Sequence, residues 1–502
     1  MSLMRARLLV TLLASLWLAA CTPTPIKAVP DAAQSDIAAR LQADIDMLAS
    51  DQFGGRKPGT AGGKATYEYI ERRMGEVGLV SGTNDPGSYW RLPVDLVEAV
   101  PQTGQLTLGV GRRAVTLTEA EAAVYTPRRR ALAAGGPGTG VPVVFVGYGD
   151  GSVLGDALAG AAALMLADPG RDSARREALF RQRATAVVTV VPDTAALAEV
   201  RRKEERGRVE LASEQMDTLS AYITDAAIGR AVGEKRWELW KREAKQADFA
   251  PLELNMAVTI EATSDRREFP SQNIIGMIPG TIPGSGAVLL LGHWDHLGEC
   301  GPPEAADRIC NGAADNASGI AMMLELARRL KAGPPLGRDI YVLATSAEEA
   351  GLLGARAFVK TPPLPLSSIV AAFNFDMMAV APEGSPVGII GRGHTPALDA
   401  AILDMLARKG RLLGDQSLAD SFLQRQDGWT LHQAGVPSVL VSSTYGSRAI
   451  LDPFLLSRYH RPDDEAAQIE LGGAIEDLLL HEELIRQLAD PARYPPAAAP
   501  QP

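Results

Sequence analysis

From about residue 270 onward, short apolar runs alternate with stretches of helical spacing. The runs Ala287 to Leu291, Asp339 to Ala344, Ile369 to Phe375 and Ser438 to Val441 carry almost no polar alternation. That is the pattern of strands buried on both faces. Helical patterns start near Ala317, Gly351 and Thr395. Strand and helix in alternation predict an α/β fold around a mostly parallel sheet. Residues 36 to 80 read as helix, loop and helix. The loop Phe53 to Thr60 is dense in turn formers, and Thr66 to Leu79 has helical spacing. From about 98 to 265 the character shifts to strand-like pieces such as Val141 to Val146. The run Arg201 to Arg208 in that segment reads as a solvated helix face.

The N-terminus is patterned differently. Arg5 and Arg7 precede an apolar run from Leu8 to Ala20, too short to span a bilayer and suited to a signal-peptide core. The run closes on Leu18-Ala19-Ala20-Cys21, which resembles a bacterial lipobox and implies lipidation at Cys21. By the same resemblance, Thr22 after the cysteine points to the periplasmic face of the outer membrane. Residues 21–35, with Pro23, Pro25 and Pro30, read as a flexible tether. The Ala/Pro-rich end, 491–502, reads as a disordered tail.

Composition sets outer bounds. A chain of 502 residues with 46% hydrophobic and 22% charged positions predicts two or three folded units with a large core. A net charge of -10 argues against a nucleic-acid partner. Beyond Cys21 only Cys300 and Cys310 remain. In an exported chain they suit a short disulfide loop, with two free thiols as the alternative.

Polar groups collect just past the apolar runs. His293 and Asp295 follow one run, Asp315 stands at a helix start, Glu348 and Glu349 follow the next run, and Asp376 the one after. Tyr459 and His460 stand in a late loop. Open α/β sheets gather their ligands at the carboxyl ends of the strands, so these groups can converge. Taken singly, Asp315 suits a helix cap, the doubled glutamate a charged surface and His293 a buried core position. Together, two imidazoles and three carboxylates suit zinc, and a pair of ions if one carboxylate bridges. His296 beside the motif reads as a supporting residue; His394, His432 and His481 read as structural.

The order His-x-Asp, Asp before a Ser-Gly helix start, Glu-Glu, Asp and a late His resembles the di-zinc exopeptidase family of bacterial leucyl aminopeptidase, aminopeptidase S and glutamate carboxypeptidase. The likeness covers about 36 to 95 and 268 to 485, with the Gly55-Arg56 to Gly59-Thr60 loop included. It implies one zinc ion on His293, Asp315 and Asp376, and a second on Asp315, Glu349 and His460, with Asp315 bridging. It further implies Glu348 as general base, Asp295 fixing the tautomer of His293, and the Tyr459 hydroxyl at the oxyanion. Family members often carry Ser-Asp-His near the substrate pocket, whereas this chain keeps only the acid, in Gln426-Asp427-Gly428-Trp429; Asp427 is the pocket candidate.

The segment 98–265, with Val146-Gly147-Tyr148-Gly149, looks like the smaller, β-rich protease-associated domain inserted in many members. The implied plan is a signal peptide (1–20), a lipidated tether (21–35), a first peptidase part (36–97), the insert (98–265), a second peptidase part (266–490) and the tail. The implied activity is release of N-terminal residues from peptides. A glutaminyl cyclase-like transferase, a carboxypeptidase on the same centre and a non-catalytic scaffold are the other readings. The scaffold is disfavoured because every ligand and base position is filled.

Overall fold

A computed structural model describes residues 32–85, 90–135, 140–149 and 158–495. The signal peptide, Cys21, the tether up to residue 31 and the tail beyond residue 495 lie outside the described residues. The chain forms a mixed α/β structure around one large, twisted sheet. At one end the strands run in the order Gly388–Ile390, Ser438–Ser442, Ile369–Asn374, Ala287–His293 and Asp339–Thr345. The last four are mutually parallel, and the rim strand is antiparallel. All seven residues of Ala287–His293 are buried, as expected for a central strand with a helix layer on each face. The helices Ala32–Leu48, Ser318–Ala332 and Leu471–Leu488 share a core on one face. Phe358 and Leu431 pack on the other, from helices Leu353–Lys360 and Gly428–Gln433.

Two long strands carry the sheet into a second lobe. Arg91–Val110 pairs antiparallel with Leu252–Ile278 from Arg91↔Ile274 to Val110↔Met256, with a register shift at Thr263/Ser264. In the lobe, Val141–Gly147, Ala162–Leu166, Ala186–Val191 and Ser220–Thr224 form a second parallel set. Helices Asp172–Arg181, Thr194–Glu204, Asp225–Val232 and Glu234–Glu243 accompany them. Of the charged run Arg201 to Arg208, only the first part is helical. Gly207 turns the chain at φ +77, and Arg208 begins the strand Arg208–Leu211. The residues just past the last helix are not loose: Tyr494 is buried beside the Arg338 guanidinium.

Candidate metal centre

Five side chains meet at the carboxyl edge of the parallel strands Ala287–His293, Asp339–Thr345 and Ile369–Asn374. His293 ends the strand Ala287–His293, and Asp376 lies two residues beyond Ile369–Asn374. Glu349 follows Asp339–Thr345 in a turn bounded by left-handed residues, Ala347 (φ 55) and Leu352 (φ 60). Asp315 sits in the irregular turn Ala313–Ala317 before helix Ser318–Ala332, and its peptide bond to Asn316 is cis. His460 (φ 59) follows helix Arg448–Ser457.

Asp315 stands at the middle. Its Oδ1 is 3.3 Å from His293 Nε2 and its Oδ2 is 3.3 Å from His460 Nε2. Asp376 Oδ1 closes on the same His293 nitrogen at 3.4 Å. Glu349 Oε2 is 3.0 Å from His460 Nε2. His460 Nε2 is buried, yet it meets hydrogen-bond geometry with neither acid. His293, Asp315 and Asp376 each offer a ligand atom within 4.8 Å of the others, and so do His296, Asp315 and Glu349. Imidazoles and carboxylates gathered this tightly, with the buried His460 Nε2 left unsatisfied, are the donor set of a divalent metal site.

The surroundings hold these groups by backbone contacts. His293 Nδ1 lies 3.1 Å from the Asp295 carbonyl oxygen and 3.9 Å from its carboxylate. His293 Nδ1 therefore lies closer to the main-chain carbonyl of Asp295 than to the carboxylate that the resemblance implied. That carboxylate instead accepts the backbone N–H groups of Glu348 and Glu349. His296 supports the site from the side, with Nδ1 2.7 Å from Glu349 Oε1. Asn316 donates to the carbonyls of His293 (3.2 Å) and Phe375 (2.9 Å), stapling two strand ends. The Tyr459 ring stacks on His460, centroids 3.8 Å apart. Asp427 is wholly buried and accepts a hydrogen bond from Thr345. Cys300 and Cys310 are joined in a disulfide, and Cys300 Sγ lies 3.4 Å from the His460 carbonyl oxygen.

Two supports escaped the sequence reading. The Arg56 guanidinium is 1% exposed and donates to the carbonyl oxygens of Trp294 (2.9 Å), Leu48 (3.0 Å), Asn311, Gly312 (2.9 Å) and Asp315 (3.3 Å). The loop reaches this depth because Gly55 is bare: a Cβ there would come within 2.6 Å of the Cys310 carbonyl oxygen. The buried Asp464 accepts from the backbone N–H groups of Ala314 and Asp315, each at 3.0 Å. An arginine between glycine turns and a doubled acid after the late histidine were the only signals available, and both usually mark exposed loops.

Burial and crowding split the carboxyl groups. Burial pushes Asp295 up to about 7 and Glu348 well above the usual range, with His293 opposing both shifts. Asp315 is held well below its usual range, because His293 and His460 outweigh the cost of burial. Despite burial and the neighbouring Asp315, His296 and His460 bring Glu349 down to about 2. Asp315 and Glu349, each between two imidazoles, are thus held charged, while burial raises Asp376 as it does Glu348. Opposed shifts of this kind mark functional sites.

Residues 273–479 match peptidase family M28. All five clustered side chains and Glu348 fall inside the M28 segment, whereas Arg56 precedes it. A probable lipoprotein aminopeptidase, LpqL, of Mycobacterium tuberculosis is 31% identical over 194 residues, 36% of this chain and 36% of its own. Aminopeptidase YwaD of Bacillus subtilis is 28% identical over 217 residues, 42% of this chain and 43% of its own. The match thus spans well under half the length of either relative. In fold, the chain is similar to an aminopeptidase from Aneurinibacillus sp. strain AM-1, with a TM-score of 0.54 at 18% identity. That likeness covers 90% of this chain and 93% of the other, so it includes the second lobe as well as the M28 segment.

Proposed function

We propose that this protein is a zinc-dependent aminopeptidase that releases N-terminal residues from peptides through a dinuclear centre. The observation that carries the proposal is the two-sided environment of Asp315, one oxygen toward His293 and the other toward His460. A carboxylate so placed would bridge two ions. His293 and Asp376 would complete one coordination sphere, and Glu349 and His460 the other. Bound there, two zinc ions would polarise the scissile carbonyl and make a shared water acidic enough to attack near neutral pH.

The chain's own residues do the rest. Glu348 is adjacent to the proposed ligand Glu349 but belongs to neither group of candidate ligand atoms, and its raised pKa suits a group that takes a proton from water and returns it to the leaving amine. Asp295 holds the Glu348 main chain in place. Tyr459, fixed by its stack on His460, would offer its hydroxyl to the oxyanion. Asp427, beneath Thr345, would shape the pocket for the N-terminal residue. The 98–265 segment is proposed as a protease-associated insert.

The protein is further proposed to be an exported lipoprotein anchored through Cys21. The basic start, apolar run and Cys21 in register support this, as does the name of the mycobacterial relative. Among the described residues no helix is long and apolar enough to cross a membrane. The periplasmic face of the outer membrane is the proposed location.

The test uses protein truncated after Cys21 with matched free and N-acetylated peptides, read by mass spectrometry with and without chelator. Stepwise loss from free N-termini alone, abolished by chelator and restored by zinc, is the expected result. Loss from the C-terminus of both peptide sets would overturn the aminopeptidase assignment in favour of a carboxypeptidase on the same centre.

A further inference from the structure

A cleft of about 650 Å³ separates the second lobe from the turn that carries Glu348 and Glu349. Ala350, Gly351 and Arg356 line it on the peptidase side. Tyr125, Tyr222, Arg176 and Lys203 are among its lining residues on the lobe side. The outer wall of the proposed catalytic turn is therefore one wall of this cleft.

Most of the charges there are already matched. Arg208 faces Glu204 at 3.3 Å and Glu210 at 3.6 Å. Arg356 pairs with Glu214, and Glu177 with Arg181. Glu204 and Glu210 share the one Arg208, and among the described residues neither Arg176 nor Lys203 forms an ion pair. Arg176 lies over the Tyr222 ring at 4.9 Å, and its buried Nε donates to nothing. Tyr125, edge-on to Tyr222 at 6.1 Å, likewise keeps a buried hydroxyl without a partner.

The unspent groups include a guanidinium and an ammonium, which can only donate, so the ligand that fits is an anion with acceptor oxygens. A guanidinium already ordered over an aromatic ring presents a fork suited to a carboxylate. The flanking tyrosines and Phe180 would take the apolar part of the same ligand.

We propose that this cleft binds the C-terminal segment of peptide substrates, with the terminal carboxylate on Arg176 and Lys203. The inference rests on the aminopeptidase reading, which puts the other end of the peptide at Glu348. A peptide entering the metal centre by its N-terminus must lead the rest of its chain away, and the cleft opens beside that turn. Binding there adds affinity remote from the reacting bond, so it acts on KM more than on kcat.

The test compares the zinc-loaded enzyme with R176A and K203A variants on three substrates. These are a peptide of about ten residues, spanning about 30 Å when extended, the same peptide ending in an amide, and an aminoacyl p-nitroanilide. Wild-type enzyme is expected to show a KM about ten-fold lower for the carboxylate than for the amide, as suits a charge-assisted hydrogen bond. Each variant should erase that difference and leave anilide turnover unchanged. Equal KM values for the two peptides in the wild type would overturn the proposal, as would variants that raise both KM values alike.

Should the anilide not be cleaved, the aminopeptidase reading fails separately. The cleft is then judged by fluorescence anisotropy of the N-acetylated, dye-labelled peptides on the same protein. Tighter binding of the carboxylate form, lost in R176A, supports the site; equal binding overturns it.

Discussion

The Asp295 carboxylate accepts the backbone N–H of Glu348 at 3.0 Å, while the carbonyl of the same residue lies 3.1 Å from His293 Nδ1. One residue thus contacts both the imidazole of a proposed ligand and the turn that carries the proposed base. Asp295→Asn keeps the carbonyl contact but replaces one acceptor oxygen by an amide that repels the facing N–H. Loss of such a support costs about 10- to 100-fold in activity or metal affinity. We expect kcat/KM to fall by that order while the fold persists, checked by kinetics alongside zinc content and circular dichroism. Unchanged kcat/KM would show that the turn holds without Asp295.

Glu348 and Glu349 are neighbours with different proposed roles, and substitution should separate them. Glu348→Gln removes the proton carrier and leaves the ligands intact, so kcat should fall by about 10²- to 10⁴-fold with two zinc ions retained. Glu349→Gln takes a carboxylate from one coordination sphere and should lower zinc content toward one per chain. Elemental analysis after dialysis distinguishes the two outcomes. Loss of zinc in the Glu348 variant would make it a ligand.

The parallel sheet and three of the five clustered side chains, His293, Glu349 and Asp376, were legible in sequence for one physical reason. Buried strands such as Ala287–His293 are continuous apolar runs, and the fold places whatever follows each run on the same edge. The supports were not legible, because their partners are main-chain atoms. Nothing about Arg56 in a glycine turn signals five carbonyl oxygens converging on it, since those carbonyls meet only after the chain has folded. Asp295 shows the same limit: its position beside His293 was readable, but which of its oxygens faces the ring was not.

Arg56 itself gives a stability prediction. Arg56→Met strips the donors from several buried carbonyls at the loops bearing His293 and Asp315, and each orphaned group costs about 1–3 kcal/mol. We expect at least about 3 kcal/mol of destabilisation in urea unfolding, together with weaker zinc binding. A variant with unchanged midpoint and zinc affinity would show that water or rearranged loops replace the guanidinium.

His481 predicts a pH effect that owes nothing to catalysis. Its ring lies between the helix Leu471–Leu488 and the rings of Phe373 and Phe375, with centroids 5.6 and 4.9 Å away. Nδ1–H donates to the Asp477 carbonyl at 2.7 Å, and Nε2 is buried without a partner. Burial lowers the pKa to about 4. In the unfolded chain the same group titrates near ~6.5. Between those values the unfolded state takes up a proton that the folded state refuses, so stability falls as pH drops through this window. The contribution is fully present above about 6.5 and amounts to about 3 kcal/mol across the window. His481→Leu, which keeps an apolar side chain beside the phenylalanines, should flatten the acid side of the stability curve by that order. Urea midpoints at pH 7.5 and 5 for both proteins read the difference, about 2 kcal/mol. Parallel curves would mean that His481 is protonated inside the fold.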